Sequence, residues 1–278
     1  MSALRIISRN LFDDYDTLTL LVGSTASGFP LTNLTDDTKN KTWRSTDLLS
    51  PKIEVTWAAS QSLSAVALPF CNLIAGSTFQ ITLYDAAIGG SLLLDTGVVD
   101  VDHSYDAPIG FTSIGSASYA YGGGANVVAF FAPTAGVRRM EIEFTSAGNP
   151  DGYIELSRVV SGVYWEPQKG ASYGAAVAFV DSTTGQRTSA GELVTDRGTI
   201  HRELTFSLAS MNASDRSDLN NLLRSVGKSQ PIFVSLTPGG SNAEQELYGQ
   251  IYGKIIEDVS VDFAVYRYYS AQLKIAEV

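Results

Sequence analysis

The sequence predicts an all-β protein of sandwich or jelly-roll type with one helix late in the chain. Three observations carry this. Short apolar or alternating segments recur along the chain with Gly, Asn and Pro between them, the punctuation of strands. The alternation is cleanest where Met140, Ile142 and Phe144 oppose Arg139, Glu141 and Glu143. No succession of strand, helix and strand runs through the chain, which excludes a parallel α/β sheet.

Taken in order, residues 6–11 and 17–22 read as strands around an acidic turn, Asp13-Asp14-Tyr15-Asp16. A long loop follows, from Ser24 to Ser45. Gly28 and Pro30 turn it, one by permitting positive φ and the other by fixing φ and removing a donor. Asn33, Asp36 and Asp37 can fold back on backbone amides to hold it. Residues 52–57 alternate, a polar turn comes next, and 63–68 is a near-continuous apolar strand of the buried kind. Strands at 78–84, 92–94 and 98–101 precede a loose Gly, Ser and Ala stretch at 102–124. Strands at 127–131, 139–144 and 153–160 close a first unit, residues 1–165.

Residues 168–173 form a linker into a second unit, 166–278. Strands are expected at 175–180, 187–193 and 200–208, with a turn at Asp196-Arg197-Gly198. A helix over about 213–226 has Asn212 or Ser214 to cap it and Gly227 to stop it. Leu219, Leu222, Leu223 and Val226 fall on one face at helical spacing and form its core stripe. Strands at 231–237 and 247–255, and two more within 260–276, complete the unit.

At 278 residues the chain is long for one domain and comfortable for two. Hydrophobic residues at 44% against 17% charged are enough to build cores. A net charge of −10 argues against a nucleic-acid-binding face. The acidity lies mainly in the first part, with 9 basic and 16 acidic residues through Trp165 against 10 and 13 afterwards. Cys71 is the single cysteine, so it has no intramolecular partner, and its apolar surroundings indicate a buried, inert thiol. The N-terminus does not read as a secretory signal. The longest apolar run, 127–132, is far short of the ~20 residues of a membrane span. The expectation is a soluble protein made in a cytoplasm.

Little points to catalysis. His103, beside Asp102 and near Asp100 and Asp106, reads as part of a solvated acidic loop, since no second His or Cys stands at ligand spacing. His201 reads as a surface strand position, and no Ser lies in a nucleophile-elbow context. Glu141 and Glu143 share a strand face and read as solvated positions. Gly122-Gly123-Gly124 lacks the strand and helix that a phosphate loop requires. The chain is expected not to be an enzyme. The loop leaves two readings open: Trp43 plugs one end of a sandwich, or Trp43 and Arg44 form a ligand rim. Tyr119 and Tyr121 would then stack on sugars or pack against a neighbouring subunit.

The residues Gly28-Phe29-Pro30, Asn33-Leu34-Thr35-Asp36 and Trp43-Arg44-Ser45, continued by Ile53-Glu54-Val55-Thr56-Trp57 and Tyr164-Trp165-Glu166-Pro167, resemble a discoidin-like, galactose-binding-type β-sandwich. The variant is similar to that of tail and baseplate proteins of bacterial viruses. The resemblance implies a structural calcium ion at Asn33, Asp36 and Asp37, against an Asx-turn without an ion. It implies no other cofactor. The second unit, with Leu204-Thr205-Phe206-Ser207-Leu208, the helix and Gln230-Pro231-Ile232-Phe233-Val234-Ser235, resembles the tail-tube and distal-tail β-barrels of tailed phages. Together these imply a structural virion component of a tail tip or baseplate, a homo-oligomeric ring in contact with other tail proteins. The alternative is a carbohydrate-binding module that attaches to host-surface glycan.

Overall fold

A computed structural model describes residues 4–101, 125–239, 246, 248–265 and 267–278. The first half of the chain runs β1 (Arg5–Ile7), β2 (Thr17–Val22), β3 (Trp43–Arg44), β4 (Leu49–Cys71) and β5 (Thr78–Tyr84). It continues as β6 (Leu92–Asp100), β7 (Ala125–Thr145), β8 (Glu155–Leu156), β9 (Val160–Gly162) and β10 (Tyr164–Trp165). The second half runs β11 (Ala176–Asp181), β12 (Thr184–Arg187), β13 (Leu193–Asp196), β14 (Ile200–Met211) and α1 (Ala213–Val226). It ends with β15 (Ile232–Ser235), β16 (Gln250–Ile255), β17 (Val261–Val265) and β18 (Tyr268–Glu277). The protein is all-β in class.

The sandwich is built on β4 and β7, paired antiparallel over most of their length in the order β3-β8-β4-β7-β5-β6, with β2 and β9 also on β4. Where a polar turn was expected after residue 57, β4 continues. The stretch 52–68 holds no Gly or Pro to break it, and register shifts around Gln61 bend it instead. The bend lets Ile53, Val55 and Trp57 share one core with Val66 and Leu68. Trp43 lies in that core, fully buried, its ring 6.5 Å from Phe144 and its Nε1 donating to Thr25 Oγ1. This is the plug of the sequence reading, and it removes Trp43 as an open stacking platform.

Cys71 belongs to the same core, and burial pushes its thiol up to about 12. A maleimide added at pH 8 should therefore leave the folded protein unlabelled and modify one thiol per chain once urea unfolds it. Rapid labelling of folded protein would contradict the burial of Cys71.

The second sheet has the order β10-β1-β15-β16-β18-β14-β11, with β17 on β18. Its end strands β10 and β11 do not pair, so among the described residues the expected closed barrel is an open sheet. The N-terminal strand β1 sits within it, Ile6 paired with both Trp165 and Val234, although the whole sandwich segment separates it from them in sequence. The strand expected over 6–11 is thus shorter, and Leu11–Asp14 form a 3-10 turn.

Helix α1 begins at an Asn212 cap, whose side chain accepts from the Asp215 amide, and stops at Gly227, where φ is 56°. Leu219, Leu222 and Val226 are buried in the second core and Leu223 packs against its margin. Each buried aliphatic side chain contributes roughly 1.5–3 kcal/mol. The strand expected at 187–193 is instead a hairpin tip. Thr188 and Glu192 are bonded backbone to backbone, and Gly191 takes the positive φ that the turn requires.

Candidate functional site

The long loop of the sandwich lies against the second sheet. From it, Asp37 and Lys39 each reach a residue of that sheet. The first contact is centred on Arg158, whose side chain is 4% exposed. It donates Nη1 and Nη2 to the two oxygens of Asp13 at 2.8 and 2.6 Å. Its Nη2 is also 3.0 Å from Asp37 Oδ1, and its Nη1 donates to Leu34 O. Tyr252 of β16 completes the cluster, 3.2 Å from Arg158 Nε and donating to Asp37 Oδ1 at 2.8 Å. Burial raises the Asp13 carboxyl above its ordinary value against the pull of Arg158, and burial raises the Tyr252 hydroxyl.

The second contact is centred on Glu277, near the end of β18. Arg202 donates to it through Nε, Nη2 and its backbone amide, at 3.0, 2.6 and 3.2 Å. Lys39 approaches to 3.5 Å with its ammonium over the Phe70 ring. Burial would raise the Glu277 carboxyl, but Arg202 and Lys39 outweigh it and hold it below its ordinary value. Ile7, Phe70, Val160, Phe233 and Tyr252 pack together with Ala65 and Ala67, so that Tyr252 of the first cluster and Phe70 beside the second share one apolar patch. The loop is therefore a joint between the sheets.

That geometry disposes of the calcium site. Asn33 Nδ2 donates to Thr42 O, Asp36 accepts from Lys41 and the Thr38 amide, and Asp37 is taken by Arg158 and Tyr252. The Lys41 contact and the Thr38 amide lower the Asp36 carboxyl to about 2. With both carboxylates already neutralised by cations, this donor set does not fit a calcium ion. Asp36 makes the Asx-turn that was the other reading.

Arg44 occupies a second corner, at the sandwich end. Its guanidinium is held between the rings of Phe29 and Tyr153, 4.1 and 4.0 Å from their centroids. Nη2 donates to Glu155 Oε2 at 3.1 Å, and Thr42 Oγ1 donates to Oε1 at 2.6 Å. Asn72 joins the neighbouring carboxylate, Asp151, at 3.0 Å and receives the Glu155 amide. Arg44 Nε is left without a hydrogen-bond partner. This cluster unites residues more than a hundred positions apart, and the sequence reading found Arg44 but neither Glu155 nor Tyr153 as its partners. Tyr119, Tyr121 and His103 lie outside the described residues. His201 stands 4.0 Å from Glu203 on β14, and Lys52 bridges Glu141 and Glu143 at 3.7 and 2.9 Å.

No family model and no curated protein matches this chain. Solved structures do. One is chitosan-binding module 1 of a chitosanase/glucanase from Paenibacillus sp. IK-5, at 18% identity, over 56% of this chain and 99% of that one, with a TM-score of 0.39. Another is the module CpGH89CBM32-5 from Clostridium perfringens in complex with GalNAc-β-1,3-galactose, at 10% identity, over 56% and 100%, with a TM-score of 0.38. A pectin-binding carbohydrate-binding module matches at 11% identity, over 54% and 91%, with a TM-score of 0.35. All three are carbohydrate-binding modules.

Proposed function

We propose that this chain is a non-catalytic binding and assembly protein, whose sandwich attaches to a glycan and whose second sheet joins it to a larger particle. The observation that supports attachment is the Arg44 corner. It sets the partly exposed Arg44, Phe29 and Tyr153 beside the exposed Asp151 carboxylate, while the buried Glu155 and Asn72 hold Arg44 and Asp151 in place, and a stacked ring and charge of this kind suit a polyhydroxylated ligand. The test is titration of the full chain against a glycan array, with Arg44→Lys as the variant. Lysine keeps the charge and loses the planar fork and the ring sandwich. At least tenfold weaker binding with an unchanged fold is expected. Absence of any glycan binding by the unmodified chain would end this reading.

The second reading is assembly within a phage tail tip or baseplate, in a homo-oligomeric ring with other tail proteins. It is supported by the exposed hairpin of β12 and β13 and by an open sheet whose outer strand β11 bonds only to β14 among the described residues. Division of the chain near residue 165 is part of the proposal, with β1 returning to the second sheet as a tie. The corresponding location is the virion, after synthesis in the host cytoplasm.

A further inference from the structure

Residues 176–211 make a single ribbon. β11 and β14 pair from Ala176↔Thr205 to Asp181↔Ile200, and the Ser182 amide donates to Thr199 O at 3.0 Å. β12 and β13 then carry the ladder outward, from Thr184↔Asp196 to Arg187↔Leu193. The inner half is seated on β18, while the outer half is a two-stranded sheet by itself with every strand residue exposed. Such a hairpin is marginal alone in water. This one nevertheless holds out Leu193 and Val194, 59% and 58% exposed.

At the other end of the ribbon lies an apolar groove of about 810 Å³, bordered by Lys169, Tyr173, Val177, Ser210, Leu236 and Tyr248. The hairpin points away from it. The intervening strand, at ~3.3 Å per residue, puts the two roughly 20 Å apart, so the hairpin does not reach the groove of its own chain.

Charge selects the occupant. Copies of a chain with net charge −10 repel one another, but the segment 173–200 carries only two basic and three acidic residues, so two copies meet there at little cost. Arg187 pins the hairpin tip by donating to Gly191 O, beside the exposed Glu192. Lys169 is the charged residue among those bordering the groove. We infer that the hairpin of one copy seats in the groove of a second copy, with Leu193 and Val194 on its apolar floor and Glu192 against Lys169. The contact is head to tail and closes into a ring or continues as a filament. This inference rests on the assembly reading.

The test is the mass of the full chain in solution by light scattering across a concentration series. The unmodified chain is expected to form an oligomer. Val194→Asp should move the association midpoint at least tenfold higher in concentration with unchanged circular dichroism and Tm, because the hairpin has no core to lose. Lys169→Glu should weaken association similarly, and adding Glu192→Lys to it should restore most of the loss. If the unmodified chain associates and Val194→Asp and Lys169→Glu associate equally well, the hairpin contact is overturned while assembly through another face stands. A chain that stays monomeric throughout overturns both.

Discussion

Replacing Asp13 and Asp37 together with alanine is expected to cost about 2–3 kcal/mol of stability, less than a fully buried pair because the two carboxylates are 36% and 41% exposed. The double variant leaves the Arg158 guanidinium, 4% exposed, without a carboxylate. Tyr252 and Leu34 O still accept from it, but neither carries a charge to offset its desolvation. Urea denaturation of the full chain measures the loss. Adding Arg158→Met should then recover most of it, since a buried charge network is often replaced by apolar side chains at no net cost. A double variant within about 1 kcal/mol of the unmodified chain would show that the cluster does not hold the joint.

The other large effect is expected at Gly253, where alanine should destabilise the second sheet by more than about 3 kcal/mol and yield little soluble protein. A Cβ there would stand 2.1 Å from Ala276 O and 2.7 Å from its carbonyl carbon. The obstruction is backbone of the paired strand β18, so no rotamer change relieves it, and Gly253 faces Glu277 in that ladder. Gly148→Ala is the control, because its nearest contact would be Ile74 Cδ1 at 3.9 Å. It should lie within about 0.5 kcal/mol of the unmodified chain. Equal stability of the two variants would contradict the close approach of β16 and β18.

Much of the fold was legible because local pattern and local structure agree. The alternation at Met140, Ile142 and Phe144 does place those side chains in the core, and the helix lies where its Asn212 cap, Gly227 stop and Leu219, Leu222 and Val226 stripe put it. The hairpin tip at Thr188–Glu192 was misplaced because its strands are exposed on both faces and show no alternation to read. The long bend of β4 is not legible as a continuous strand, because a bulge has no sequence punctuation of its own.

The site was less legible. Side-chain chemistry alone marks Trp43 as a plug or a platform and Arg44 as a fork that suits a carboxylate. Which carboxylate it meets, Glu155, depends on a partner 111 residues away. Asp37 and Lys39 read as members of a polar loop, yet their partners are Arg158, Tyr252 and Glu277, on segments brought together only by packing of the two sheets.

By itself the sequence determined the all-β class, the position and ends of the helix and the buried thiol, because each follows from periodicity, capping or apolarity within a few residues. Only the tertiary structure decided that the second sheet is open, that β1 joins it, and that the conspicuous loop is a joint. The reason is physical. Strand order and ion-pair partners are set by long-range packing, where one buried guanidinium selects the carboxylates that can neutralise it wherever the chain brings them.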